Sequence, residues 1–115
     1  MKRASAALAC LVFFAPAALA QQGRAQRGQT FAKTNCSSCH AIGHVGNSPL
    51  AEAPPFRTLH TRYPVEDLSE ALAEGITTGH PSMPEFVLDA AQINDLIAYL
   101  RTLERSPGQR HKRTL

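Results

Sequence analysis

The chain has 115 residues and a mass of 12.4 kDa, which is room for one domain and not two. Its formal charge is +3, but the excess sits at the ends, on Lys2 and Arg3 and on Arg110, Lys112 and Arg113. Between them lie seven basic and nine acidic side chains, which excludes the basic body of a nucleic-acid binder. A 43% hydrophobic content without low-complexity runs excludes a disordered chain.

The first elements read as an address. Met1–Arg3 is basic, and 4–20 is apolar apart from Ser5 and the break at Pro16. The stretch ends in Ala18-Leu19-Ala20, a small-x-small cleavage signal, and polar Gln21-Gln22-Gly23 follows. This pattern predicts a cleaved secretory signal peptide over 1–20. The apolar run is at the lower limit for a bilayer span and Pro16 interrupts it, so stable membrane insertion is not expected. Cys10 precedes Leu11-Val12-Phe13-Phe14. Processing there would split the apolar core, so Cys10 is read as a discarded leader residue. The body is then 21–106, with a basic flexible tail over 107–115.

The body reads as helices joined by long loops. A short helix is predicted from Gln26 to about Asn35, with Gly28, Phe31 and Ala32 on related faces. From His40 to Arg62 the periodicity disappears, and Gly43, Gly46, Asn47, Pro49, Pro54 and Pro55 mark loop. Pro64 is placed at the first turn of a second helix. Val65, Leu68, Ala71 and Leu72 fall at helical spacing and Gly75 stops it. Residues 77–88 form a second loop containing Gly79, Pro81 and Pro84. Asp89 and Gln92 have capping-box spacing before a third helix. Ile93, Leu96, Ile97, Leu100 and Leu103 make one apolar stripe on it, Arg101 and Arg105 suit its last turns, and Pro107-Gly108 ends it. Loops this long in a small helical domain imply that they wrap something.

The chemistry sits in Cys36-Ser37-Ser38-Cys39-His40. Cys-x-x-Cys-His is the attachment signature of c-type haem. Two thiols three positions apart, on about one helical turn, can each add to a haem vinyl group, and His40 then follows as a ligand for the iron. Such attachment is made outside the cytoplasm, in keeping with the leader. A redox dithiol would need a βαβ setting, and the strand pattern is missing. A zinc site would need a fourth ligand at zinc-site spacing. A short structural disulfide is the remaining alternative. Met83 is the one Met of the body and lies in Gly79-His80-Pro81-Ser82-Met83-Pro84. Its thioether is a soft ligand for the other side of the iron; the competing role is filling a gap in the core.

Together, Gly28, Cys36-x-x-Cys39-His40, Ala53-Pro54-Pro55-Phe56, Gly79-His80-x-x-Met83-Pro84-x-Phe86 and Ile97-Ala98-Tyr99-Leu100 resemble a class I c-type cytochrome of the small bacterial monohaem kind. The resemblance spans nearly all of 26–103. It implies an all-α cytochrome c fold, three to four helices and long loops around one covalent haem c. It assigns Cys36 and Cys39 to thioether attachment, His40 and Met83 to the iron, and the Pro54 carbonyl to the His40 ring N–H, with Pro55 as the alternative. Gly28 and Tyr99 correspond to the close crossing of the terminal helices. The chain departs from the family where Ala32 takes the usual aromatic position and Phe31 comes one earlier. Arg62 and Tyr63 lie where the family often reaches the haem propionates; a solvated Arg and a half-buried Tyr is the simpler reading of that pair. His44, His60 and His111 are read as surface residues, and His80 as a substitute ligand should the Met83 loop slip at high pH.

The implied function is a periplasmic electron carrier, monomeric, with redox partner proteins and no catalytic residues. A haem-based binder or sensor of small molecules, with displaceable Met83, is the alternative from another class. A dedicated haem subunit of a dehydrogenase or oxidase is a third.

Overall fold

The computed structural model describes residues 15–76 and 82–105. Helix α1 runs over Ala15–Asn35, α2 over Leu68–Glu74 and α3 over Ala90–Leu103. Short 3₁₀ turns at Phe56–Thr61 and Val65–Asp67 fill the space between α1 and α2. Among the described residues there is no strand. The all-α expectation therefore holds.

The structure departs from the sequence reading at several points, among them Arg105, which lies beyond the end of α3 at Leu103 instead of in its last turn. Helix α1 begins well before Gln26 and passes through Ala18-Leu19-Ala20 without a break. Alanine and glutamine favour the helix wherever nothing opposes it, and residues 16–22 are exposed. Pro64 caps the 3₁₀ turn Val65–Asp67 with extended backbone (ψ 132°) instead of opening an α-helix. The α-helix starts only at Leu68. The long 40–62 loop likewise contains one regular piece, the turn that buries Phe56 and Leu59. The basic leader residues, Cys10, His80 and the tail lie outside the described residues.

Helix α3 is the spine of the core. Asp89 accepts from the Gln92 backbone at 2.8 Å, and the Gln92 side chain accepts from the Asp89 backbone at 3.0 Å, closing the capping box. Ile93, Leu96, Ile97, Leu100 and Leu103 are all buried. Gly75 ends α2 with φ at +99°, a conformation that favours glycine. Beyond it the described chain resumes with a turn and bend at Ser82 and Met83 and runs on as an irregular strap to Asp89. Phe86 packs on the core, Val87 is exposed and Leu88 is buried, the alternation of extended backbone. The Leu88 amide donates to the Leu72 carbonyl at 2.9 Å and fastens the strap to α2.

Helices α1 and α3 cross at Gly28. A Cβ there would collide with the Asp95 carbonyl and lie 2.8 Å from Tyr99 Cβ. Only glycine lets the backbones come this close. Arg27 and Asp95 flank the crossing with a bidentate ion pair at 2.8 and 2.9 Å. Arg101 and Glu66 tie the far end of α3 to the second 3₁₀ turn at 2.5 Å. Replacing Gly28 with Ala is expected to destabilise the fold by about 1–3 kcal/mol through overpacking. Denaturant unfolding of the two proteins checks this, and an unchanged midpoint would show that the crossing can relax.

Candidate functional site

The Cys-x-x-Cys-His motif is built on the end of α1. The Cys36 and Ser37 amides donate to the Ala32 carbonyl at 2.8 and 3.1 Å, and those of Cys39 and His40 to the Cys36 carbonyl at 3.1 and 2.9 Å. The chain thus leaves α1 through tight turns that bring both thiols and the imidazole to one side. Cys36 and Cys39 are half-buried and form no disulfide with each other.

The His40 ring is held in a defined tautomer. Its Nδ1 lies 2.8 Å from the Pro54 carbonyl oxygen. A carbonyl can only accept, so Nδ1 carries the proton and Nε2 keeps a free lone pair. The Pro55 carbonyl is engaged elsewhere, accepting from the Thr58 amide at 3.0 Å and the Thr58 hydroxyl at 2.8 Å. Phe56 packs against the imidazole with ring centroids 5.1 Å apart and planes tilted by 48°.

These residues open on a cavity of about 350 Å³. Cys36, Cys39, His40 and Pro54 form part of its wall, and Met83 reaches it from the strap. Most of the rest is apolar, including Phe31, Leu59, Leu72, Phe86, Leu96 and Leu100. Residues that lie far apart in sequence, 36–40 and 83, are thus brought to one chamber. The donor set is two thiols, an imidazole with one free nitrogen and a thioether inside an apolar shell. That set fits a covalently attached haem c, the soft and borderline donors suiting iron. Arg62 and Tyr63 line both this cavity and an open cleft outside it shared with His60, Glu66 and Glu104. They are the wall between the two. His44 is half-buried and His60 exposed, and neither lines the cavity.

Sequence reasoning missed two contacts that hold the motif from outside. The Tyr99 hydroxyl donates to the Ile42 carbonyl at 2.6 Å, tying α3 to the segment just after His40. The Ala41 amide donates to Ser48 Oγ at 3.0 Å. Neither has a periodic signal. Tyr99 reads as a core residue at helical spacing, and Ser48 reads as one polar residue in an irregular loop.

A cytochrome c family model matches residues 25–104. The chain is 33% identical over 79 residues to cytochrome c-552 of Bradyrhizobium diazoefficiens, covering 69% of this chain and 74% of that one. It is 31% identical over 88 residues to a cytochrome c-553-like protein of Synechocystis, covering 74% of each. No solved structure matches.

The apolar side chains that line the cavity pack on whatever fills it, and a group bound only by the folded chain stabilises the fold. Replacing Cys36 and Cys39 together with Ser should therefore remove covalent haem and most of the helicity. Far-ultraviolet circular dichroism and a haem stain after denaturing electrophoresis check both; full helicity without the cofactor would contradict this dependence. Burial raises the Tyr99 phenol above its usual 10.0, while a Gln29 hydrogen bond opposes this. Folding then favours the neutral phenol: its stabilisation is complete below the ordinary phenol range and lost as pH rises through the raised value. Stability of the wild-type protein should fall in that alkaline window, and Tyr99→Phe should lack this component of the pH profile.

Proposed function

The chain belongs to the cytochrome c family, and from that premise we propose a periplasmic electron carrier whose haem c is held by Cys36 and Cys39 and ligated by His40 and Met83. The coarse part of this follows from membership: the family is one of electron-transferring haem proteins that pass electrons to partner proteins. The finer assignments rest on one observation, the single apolar chamber onto which Cys36, Cys39, His40 and Met83 all open.

Bound haem c supplies an iron that cycles between ferrous and ferric states. Everything else is work for the chain. Cys36 and Cys39 hold the cofactor from the end of α1. His40, with Nδ1 donating to Pro54, offers Nε2 and is made more basic by that hydrogen bond. Met83 offers a thioether, which favours the ferrous state relative to a second imidazole. The apolar wall keeps water away and raises the cost of the more highly charged oxidised state. Were His40 and Met83 both to hold the iron, no position would be left for a substrate, so the reading assigns no catalytic residue.

Export is supported by the leader pattern of 1–20. The near-neutral body and basic tail fit brief, salt-sensitive contacts with acidic surfaces of redox partners.

Visible spectra of the reduced protein, with and without carbon monoxide, test the ligand assignment. The wild-type protein should give a low-spin haem c spectrum that carbon monoxide leaves in place. Met83→Ala should lower the reduction potential and bind carbon monoxide readily. An unchanged Met83→Ala spectrum would remove Met83 from the iron, and ready binding by the wild-type protein would favour a small-ligand sensor.

A further inference from the structure

We infer that Ser48 is a positioning residue for His40, holding the motif through its side-chain hydroxyl beside the backbone hydrogen bonds made by its neighbours in the loop. This rests on the reading of His40 as a haem ligand. The segment 48–56 folds around residues 39–41 and grips them at successive points. The Leu50 amide donates to the Cys39 carbonyl at 3.1 Å and the Phe56 amide to the Ala41 carbonyl at 2.9 Å. The Pro54 carbonyl accepts from His40 Nδ1 at 2.8 Å. Ser48 Oγ accepts from the Ala41 amide at 3.0 Å. Leu50 and Pro54 act through backbone groups, and Phe56 through its amide and through the ring that packs on the imidazole. The Ser48 hydroxyl is a hydrogen-bonding group that mutation can delete.

The local chain holds the hydroxyl in place. Gly46, at φ +92°, turns the backbone just before it. Pro49 follows and restricts Ser48 to extended conformations. The hydroxyl thus starts from a narrowed set of positions. Its partner is the first amide after the imidazole, in a part-buried site. With Ser48 gone, that amide loses its acceptor and the Cys39–Ala41 segment loses one of its fixed points. The His40 ring is borne by this segment, and its angle to the Pro54 carbonyl depends on where the segment lies. A longer or bent Nδ1–H···O bond makes the imidazole less basic, which favours the ferrous state and raises the potential.

The experiment compares the full haem-bearing protein with Ser48→Ala, Ser48→Thr and, as a loop control, Asn47→Ala at an exposed neighbour. Amide exchange at Ala41, the reduction potential and the iron-shifted ring-proton resonances of His40 are measured on each. Ser48→Ala should speed Ala41 exchange several-fold, raise the potential and move the His40 resonances. Ser48→Thr, which keeps the hydroxyl, should restore all three, and Asn47→Ala should change none. Faster exchange with an unmoved potential and unmoved His40 resonances would leave Ser48 as a loop fastener and overturn the proposal. Unchanged exchange would overturn it too, by removing the hydrogen bond. If wild-type His40 shows no iron-shifted resonances, the ligand reading itself fails, and the proposal goes with it for that separate reason.

Discussion

The close approach of α1 to α3 at Gly28 is the constraint on which the site depends. Helix α1 has no apolar stripe to compare with that of α3, residues 16–22 are exposed, and it meets the core only towards its end, through Phe31 and buried Ala32. Its crossing is set by backbone contact at Gly28 beside Asp95 and Tyr99, flanked by the Arg27–Asp95 ion pair. Seven residues after the crossing α1 ends, and Cys36 follows immediately. The crossing therefore decides where both thiols and His40 enter the chamber. A shift of α1 along α3 would carry the entire motif with it.

From that point the two sides of the chamber are held differently. On the His40 side, the chain is gripped from the end of α1, from the 48–56 loop and from Tyr99 through Ile42. On the Met83 side, the described strap 82–89 is fastened by the Leu88–Leu72 backbone bond and by the inward turn of Phe86 and Leu88. A ligand on a well-fixed segment defines the geometry. A ligand on a strap sets the potential by its chemistry and can be exchanged at smaller cost to the fold. This is the physical reason the Met83 position is where a small-ligand sensor would differ from an electron carrier.

How much of this could be read from the residues varied with the kind of signal. The start and apolar face of helix α3 were legible, because its apolar residues recur at 3.6-residue spacing and its start carries the Asp89–Gln92 box; its end was not, since Arg105 lies beyond it. The attachment motif was legible because its chemistry dictates its spacing. The start of α1 was not, since alanine-rich sequence serves a leader and a helix equally well. Pro64 was placed within one residue of its turn, yet the turn is 3₁₀, a distinction propensity does not carry. The grip of 48–56 was illegible for a deeper reason. Its hydrogen bonds are backbone–backbone or single side-chain contacts between segments that share no period. Nothing in Asn47-Ser48-Pro49 alone names Ala41 as a partner.

The chamber applies opposing influences to one property. With His40 and Met83 as the proposed ligands, its apolar wall and the Met83 thioether would favour the reduced state, while the Pro54 carbonyl, by polarising the His40 ring, would favour the oxidised one. The first influence is spread over many residues and changes little when one is replaced. The second passes through a single hydrogen bond whose length depends on a loop. A potential balanced in this way is set coarsely by the fold and finely by the backbone around His40. The loop that seemed least structured in sequence, 40–62, thus carries the finest control over the chemistry.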